Sequence, residues 1–456
     1  MHRGGERNPV VFAMAPSYEP SKDGGDGVKM NNKIGPTTGR WFNRNVFLFG
    51  LTSLLSDFCH EMATAVLPQF MQAIGASAAA LGFIEGVADA LSSSVKLGAG
   101  YHSDKIGHRK TWTIIGYFLT AIAKPIFAFA FAWPLILIGR VIGWLGRGIR
   151  SPLRDAMLAE SVDSQDRGKA FGFHRAGDTA GAVLGPLAAF ALLSFLSNHP
   201  ETVAALGKLL PSLSGAPGSS FRVIFLLTIV PGLLSVLSLL LIREKRRERN
   251  HSLRFLGALS AMPKDYRLFL LGVGLFGLAD FAPTLMILRA TTVLEPQMGM
   301  FEASRMAALL YLLRNVIYAA ASYPIGAMSD RFTRNRYLAV GYGIAVITFL
   351  GFAFVIPSVW WFAAFFILAG VFIAWEDTVE GTAVRDYVGD SLSGTAYGVL
   401  GVVNGLGDFV SSVVVGILWT AVSPVWGFGY AVIVGLAGTL LMASNRCCSM
   451  PKSRQQ

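Results

Sequence analysis

Long apolar stretches, separated by short polar segments, recur along most of the chain after residue 40. A helix of about 20 apolar residues crosses the hydrocarbon core of a bilayer, and each stretch exceeds that length. The pattern therefore predicts an all-α membrane protein with twelve transmembrane helices. The predicted helices cover residues 43–71, 78–101, 111–132, 134–158, 168–197, 222–242, 267–294, 303–328, 336–356, 358–380, 392–421 and 424–444.

The first six predicted helices and the last six repeat each other across a basic segment, REKRRERNHSLR, at 243–254. The sequence GYHSDKIGHRK from Gly100 is echoed by GAMSDRFTRNR from Gly326. RDAMLAESVDSQDRGKAFGF from Arg154 is echoed by RDYVGDSLSGTAYGV from Arg385. This repeat indicates a duplication, and it predicts two pseudo-repeated six-helix bundles that rock about a central site.

The same pattern divides the chain into five predicted segments. Basic residues fall in alternate loops, which predicts that both termini are cytoplasmic because basic loops are translocated poorly. Residues 1–40 are polar and lack the apolar core of a signal peptide. The segments are a disordered cytoplasmic tail at 1–40, an N-terminal bundle at 41–242, a cytoplasmic linker at 243–265, a C-terminal bundle at 266–445 and a cytoplasmic tail at 446–456.

Composition narrows the classes of function. With 53% hydrophobic and 15% charged residues and a mean hydropathy of +0.51, the chain is not a water-soluble globule. The net charge of +11 follows from the basic loops, so we expect no nucleic-acid partner. Three cysteines offer no spaced metal set, and no GxxxxGK[ST] loop or catalytic triad occurs. We therefore expect a non-enzyme without cofactor or metal, in a cell membrane and most consistent with a bacterial inner membrane.

The segment that begins at Gly100 resembles the loop between helices two and three of the major facilitator superfamily. That resemblance implies the major facilitator fold and a conformational latch, in which a carboxylate accepts hydrogen bonds from neighbouring cations or faces a helix N-terminus. The alternative is that these charges only fix the topology. The matching residues are Gly100, Asp104, Lys105, Gly107, Arg109 and Lys110, with a weaker echo at Gly326, Asp330 and Arg331.

Two further segments resemble motifs of the same family. In the fourth helix, Arg140, Gly143 and 146–148 resemble the arginine motif that the family associates with proton transfer. In the fifth, the helix-packing residues Gly181, Gly185 and Pro186 resemble the antiporter motif of exporters, although Leu187 and Ala188 follow where glycine is usual. The stretches GRGIRSPLRDAML and GKAFGFHRAGDTAGAVLGP resemble a poorly characterised bacterial subgroup.

Ionisable side chains inside the predicted helices are the sharpest candidates for function. Each unpaired acid at the bilayer centre costs about 2.5–3.5 kcal/mol, so these acids must be paired, protonated or hydrated. The acids outnumber the bases, and we expect some of them to carry protons during part of a cycle. The acids are Asp57, Glu61, Glu85, Asp89, Asp178, Asp280, Glu376, Asp377 and Asp408, and the bases are Lys96, Lys124, Arg140, Arg175 and Arg314.

Asp57 and Glu61 are four residues apart and share one helix face, with His60 beside them. Two close carboxylates do not both ionise easily, which suits a proton-coupling site. Asp57 and Asp280 occupy corresponding positions in helices one and seven, which line the cavity in the family fold. His174, Arg175 and Asp178 could bind an anionic substrate group or balance Asp57, and buried structural pairs remain the alternative for every one of these residues.

Together these features predict a secondary active transporter that works by alternating access, with proton-coupled export of small organic molecules. Its expected partners are the substrate, protons or another coupling ion, and the bilayer, and we expect a monomer. One alternative is transport of a metal, siderophore or metabolite, since His60 and its neighbouring acids suit divalent cations if other helices contribute ligands. The other alternative is a membrane receptor that transports nothing.

Overall fold

Helices form almost the whole chain that the computed structural model describes, namely residues 41–106, 109–163, 166–209, 216–244, 262–329, 332–388 and 393–444. No β-strand occurs within these ranges. The prediction of an all-α protein is confirmed. The predicted tail at 1–40, most of the linker at 243–265 and the tail at 446–456 lie outside the described residues, and the segment boundaries stay predictions.

We refer to residues 41–244 as the N-half and to residues 262–444 as the C-half. The N-half contains α1 (Arg44–Thr64), α2 (Leu67–Ala73), α3 (Ala78–Ile106), α4 (Arg109–Phe127), α5 (Trp133–Glu160), α6 (Arg167–Asn198), α7 (Pro200–Leu209), α8 (Ser219–Leu227) and α9 (Ile229–Leu240). The C-half contains α10 (Lys264–Gly277), α11 (Pro283–Ser329), α12 (Arg334–Ala353), α13 (Val359–Tyr387), α14 (Ser393–Ala421) and α15 (Pro424–Ser444).

Eight helical segments of the described chain are long and apolar enough to cross a membrane. One of them, Pro283–Gly326, has 44 residues, and a straight helix of that length would be about 66 Å long, roughly twice the thickness of a bilayer core. Gly299, with φ 82°, interrupts it in a conformation that favours glycine. This kink lies between the predicted helices seven and eight. The count of twelve spans stays a prediction, because the remaining segments carry more charge or are shorter.

The predicted seventh helix, 267–294, is interrupted between α10 and α11, and Asp280 lies in the break. Pro283 begins α11 because its ring excludes a helical carbonyl four residues earlier and it has no N–H to donate. The backbone N–H of Ala282 donates instead to Ser412 Oγ at 3.0 Å. The prediction of a continuous helix at 267–294 was wrong. The break places Asp280 in irregular backbone.

The two halves touch chiefly along two pairs of helices. Between α3 and α14 the backbones meet so closely that a Cβ at Gly82 would lie 2.1 Å from the Ser412 carbonyl oxygen, and one at Gly405 would lie 2.2 Å from Ser93 Oγ. Small residues permit such close helix packing. Between α6 and α11, Asn315 Nδ2 donates to the Ala182 carbonyl at 2.9 Å. These contacts enclose a space between the halves.

Candidate functional site

A cavity of about 370 Å³ lies between the two halves and receives side chains from both. Its walls are strongly charged for a space within an apolar protein. Aromatic residues such as Trp144, Phe281, Phe372 and Tyr311 also line it. The ionisable residues in the lining are Glu61, Glu85, Asp89, Asp280, Asp377 and Asp408, together with His60, Arg140, Arg147 and Arg314. This arrangement suits a ligand with polar or charged groups.

Helical spacing aims the N-half side chains at this cavity. Residues of α5 reach it at intervals of four and three positions, through Arg140, Trp144 and Arg147. On α3, Glu85 and Asp89 are one turn apart. Arg140 and Glu85 form an ion pair of 2.5 Å, in which the side chains are only 4% and 5% exposed. Each charge in this pair therefore depends on the other in a region shielded from water.

Asp57 does not line the cavity, although it is buried in the adjacent part of the N-half. Its carboxyl group lies within hydrogen-bonding reach of the Asp178 carboxyl group on α6. Ser53 Oγ donates to Asp178 Oδ1 at 2.7 Å. Glu61 has a different partner, because Tyr311 of the C-half donates to its Oε2 at 2.8 Å. The structure thus pairs Asp57 with Asp178, whereas the sequence spacing suggested Glu61.

A second pair of carboxyl groups lies in the C-half. Asp280, in the break before α11, is within hydrogen-bonding reach of Glu376 on α13. The Oε2 atom of Glu376 is buried without a hydrogen-bond partner. Carboxyl groups this close in a low-dielectric setting share a proton, because two adjacent negative charges would repel each other. Asp408 adds a further acid to the same side of the cavity.

Glu380 belongs to this acidic region and was missed by the sequence analysis. It is 3% exposed and accepts hydrogen bonds from Tyr342 Oη at 2.5 Å and from Asn404 Nδ2 at 2.8 Å. The predicted helix ended at residue 380, whereas α13 continues to Tyr387. The spacing of four residues from Glu376 was the signal that could have identified it.

A hydrogen-bonded bridge joins the halves beside the cavity. Arg175 lies 3.4 Å from Asp178 on its own helix, 2.5 Å from Tyr318 Oη and 3.8 Å from Asp377. Tyr318 in turn donates to Asp377 Oδ2 at 2.7 Å. We call this set the Arg175–Tyr318–Asp377 bridge. A second contact between the halves lies near the C-terminal end of α2, where Gln72 Nε2 donates to Glu295 Oε2 of α11 at 2.6 Å.

The other residues that the sequence singled out have different surroundings. His174 is buried, and its Nε2 atom has no hydrogen-bond partner, so it does not join Arg175 and Asp178. Lys124 and Arg314 come within ion-pair distance of no acid among the described residues, and neither does the exposed Lys96. The glycines of α6 pack against α1, since a Cβ at Gly181 would lie 2.4 Å from the Leu54 carbonyl oxygen. Gly185 packs against Glu61 in the same way, and Pro186 lies within α6.

The predicted latch is described in part. Arg109 Nη1 is 2.5 Å from Glu160 Oε1, and Glu244 Oε1 accepts from the backbone N–H groups of Arg109 at 2.6 Å and Lys110 at 3.1 Å. Glu244 therefore occupies the N-terminus of α4, where the helix dipole favours negative charge. Gly326 packs against Thr378. The side chains of Asp104 and Lys105, next to Gly100 in α3, and residues Gly107, Asp330 and Arg331 lie outside the described part.

In the part of the chain that the structure describes, no group of three or more His, Cys, Asp or Glu side chains is arranged so that it could hold a metal ion. His60 instead contacts the ring of Trp144, with centroids 5.6 Å apart. The metal hypothesis therefore gains no ligand set from these helices.

Comparison with known proteins agrees with this architecture. The sequence profile of the Major Facilitator Superfamily matches residues 49–313 and 298–446. An uncharacterised MFS-type transporter of Methanocaldococcus jannaschii is 30% identical over 407 residues, covering 88% of this chain and 95% of that protein. The quinolone resistance protein NorA of Staphylococcus aureus is 24% identical over 144 residues, which cover 32% of this chain and 37% of NorA.

The fold also matches solved structures. The crystal structure of the nucleoside transporter NupG superposes with a TM-score of 0.69 at 14% identity, covering 89% of this chain and 98% of NupG. The resemblance to a poorly characterised subgroup is supported by the long match to the archaeal relative. The chain belongs to the major facilitator superfamily, and it is an integral membrane protein and a transporter rather than an enzyme.

Proposed function

We propose that this protein is a proton-coupled secondary transporter that exports small organic molecules by alternating access. The observation that carries the proposal is the presence of two carboxyl pairs, Asp57 with Asp178 and Asp280 with Glu376, beside a charged cavity between the halves. Each pair requires a shared proton to remain together. Binding and release of those protons is the step that can be linked to the substrate.

The linkage runs through Arg175. When Asp57 and Asp178 share a proton, the pair carries a single negative charge. Arg175 can then also contact Tyr318 and Asp377. Loss of the shared proton leaves two negative charges beside Arg175, which lies 3.4 Å from Asp178. The guanidinium is then attracted toward the N-half and away from the C-half. Deprotonation thereby weakens the Arg175–Tyr318–Asp377 bridge and favours opening at that end.

Alternating access needs contacts at each end that break in turn. The Arg175–Tyr318–Asp377 bridge serves one end, and the hydrogen bond from Gln72 to Glu295 serves the other. By the predicted orientation the bridge faces the cytoplasm, since it lies toward the start of α6. In the same proposed orientation both termini are cytoplasmic. The protein spans a bacterial inner membrane as a monomer.

Export of organic molecules is supported by two features. The glycines of α6 pack tightly on α1 as in the exporter motif, and part of the chain is similar to a quinolone resistance protein. The charged lining of the cavity favours polar metabolites as a second candidate class, because purely apolar molecules would leave these side chains without partners.

The test uses purified protein in liposomes that contain a pH-sensitive dye. A panel of drugs, metabolites, siderophores and divalent metals is screened for substrate-evoked proton movement. We expect an active compound class among the organic molecules, and a signal at least about tenfold weaker in Asp57→Asn and Asp280→Asn, because the amides cannot exchange the shared proton. Asp265→Asn, an exposed residue of α10, is the matched control.

Proton movement with metals alone would overturn the choice of substrate in favour of metal transport. Full proton coupling in both asparagine variants would overturn the role of the carboxyl pairs. Folded protein that moves no solute of any class would instead favour a receptor.

A further inference from the structure

A second, smaller pocket lies inside the N-half, between α1, α4 and α5. It shares His60, Arg140, Trp144 and Arg147 with the wall of the large cavity, so the two spaces adjoin. Its open space is about the size of one water molecule. We propose that this pocket binds one compact anionic group, either a free halide or the carboxylate of a bound molecule.

Charge is the first reason. The described lining includes four cationic side chains and no acid, namely Lys124, Arg140, Arg147 and Arg150. Arg140 is compensated by its ion pair with Glu85. Asp57, Asp178 and Glu61 are the acids nearest to Arg147, but among the described residues no acid lies within ion-pair distance of Lys124, Arg147 or Arg150. The acids of the N-half therefore lie outside the lining of the pocket, whose ionised side chains are basic.

The neutral contacts of the arginines are the second reason. Arg150 donates to Ser56 Oγ at 2.7 Å and stacks over the ring of Tyr117 at 4.0 Å. Arg147 stacks over the ring of Trp144 at 5.0 Å. The Nε atoms of Arg140 and Arg150 are buried without hydrogen-bond partners. Donors that are buried and unused in this way are suited to an acceptor that is absent from the protein itself.

Lys124 is the central residue of the proposed site. Its side chain is 3% exposed, and its ammonium donates to the Thr120 carbonyl of its own helix at 3.0 Å. Among the described residues no acid lies within ion-pair distance of it. Its place in the last turn of α4 is favourable because the helix dipole attracts cations there. That attraction is weaker than a direct counter-ion, which a bound anion would supply.

The chemistry of the donors defines the ligand. A lysine ammonium and guanidinium N–H groups together recognise compact acceptors of single negative charge, and guanidinium groups favour planar carboxylates. The small size excludes a bulky phosphate ester. Because the pocket adjoins the large cavity, the anionic group can be a free halide or a carboxylate oxygen of a molecule held in that cavity.

The test measures thermal unfolding of the purified full-length protein while isethionate, a sulfonate without a carboxylate, is replaced by chloride, bromide or acetate at constant ionic strength. We expect a saturable rise in unfolding temperature with one or more of these small anions. Lys124→Gln should weaken the apparent affinity at least tenfold, and Lys124→Arg should retain it. Lys264→Gln, at an exposed position on α10, is the matched control and should behave as the parent.

The anion that acts identifies the source of the anionic group. A response to chloride and bromide without acetate assigns a free halide, whereas a stronger response to acetate assigns a carboxylate. The absence of saturation with all three anions, or an unchanged affinity in Lys124→Gln, overturns the proposal. If Lys124→Gln does not fold, bromide quenching of tryptophan fluorescence decides, since saturable quenching must disappear in Trp144→Phe. None of these measurements depends on transport, so failure here leaves proton coupling unaffected.

Discussion

The two halves of the molecule differ in the balance of charge that they bring to the centre. The C-half contributes one base, Arg314, and five acids, namely Asp280, Glu376, Asp377, Glu380 and Asp408. The N-half combines its acids with an equal number of bases, namely Asp57, Glu61, Glu85, Asp89 and Asp178 with Lys124, Arg140, Arg147, Arg150 and Arg175. Their sequences repeat, so the charge difference is imposed on a common framework. The comparison teaches that repeated halves can carry different sets of charges. In the functions proposed above, the anion pocket belongs to the N-half, whereas each half supplies one carboxyl pair.

The two carboxyl pairs also differ in the basic side chains that lie near them. Asp57 and Asp178 stand on regular helices, where Ser53 donates to Asp178 and Arg175 lies 3.4 Å from it. Asp280 and Glu376 meet at an interrupted helix, and no basic side chain of the described chain lies within ion-pair distance of them. Negative charge on the first pair is therefore tolerated better than on the second.

The largest predicted effect concerns the basic residues of the N-half. Arg140→Gln leaves the Glu85 carboxylate buried without its ion-pair partner, and we expect a loss of about 3–5 kcal/mol in the free energy of unfolding. The double variant Arg140→Gln with Glu85→Gln should regain much of that loss. Thermal or denaturant unfolding of the purified proteins measures both. Equal losses in the single and double variants would contradict the importance of the pair.

The next prediction sharpens the difference between the carboxyl pairs. Glu376→Gln should increase the free energy of unfolding by about 1 kcal/mol, because it removes a charge from the acidic region and keeps a hydrogen bond to Asp280. Asp178→Asn should decrease it by a similar amount, because the ion pair with Arg175 is lost. Opposite signs in one denaturation series are the expected result, and like signs would show that the two pairs are equivalent.

A smaller effect is expected at the Arg175–Tyr318–Asp377 bridge. Tyr318→Phe removes two hydrogen bonds to charged groups that are partly exposed, which is worth about 1 kcal/mol, or a fivefold change in population. The conformation open at this end should gain. Distances between spin labels at Ser94 and Met328, in a cysteine-free protein, measure the change. Tyr323→Phe, at an 85% exposed tyrosine of the same helix, should leave the distances unchanged.

The smallest effect is predicted for Gln72→Leu, which removes the single hydrogen bond to Glu295. We expect a change of about 0.5 kcal/mol, or roughly a twofold shift in population, in the opposite direction from Tyr318→Phe. The same pair of labels should then come closer together on average. A shift in the same direction as Tyr318→Phe would mean that the two contacts do not serve opposite ends of the cycle.

Much of the fold could be predicted from sequence because apolar length and loop polarity specify membrane helices directly. The interruption at Asp280 could have been inferred from Pro283, but a long apolar pattern masked it. The repeated halves and the charged centre were also visible in the sequence. The count of twelve spans remains a prediction from the sequence, because several segments carry too much charge to be identified as membrane helices by hydropathy alone.

The partners of the charged residues could not be predicted in the same way. Spacing within one helix suggested that Asp57 and Glu61 act together, whereas contacts with α6 and α11 separate them. Partners on different helices depend on the rotation and depth of each helix, which periodicity along one chain does not encode. The same reason explains why Lys124, one of the bases available to pair with these acids, has no acid within ion-pair distance among the described residues. Glu380 is different, because its spacing of four residues from Glu376 on one helix was visible in the sequence.

The close contact between α3 and α14 has a consequence for how such a protein can diversify. At Gly82 and Gly405 the neighbouring backbone and side-chain atoms leave no room for even a methyl group, so this contact restricts the size of residues. The cavity wall is instead built from larger charged and aromatic side chains, so substitutions there meet a different constraint. A larger residue at Gly82 would require the facing backbone of α14 to shift, so this contact can change only through coupled changes on both helices.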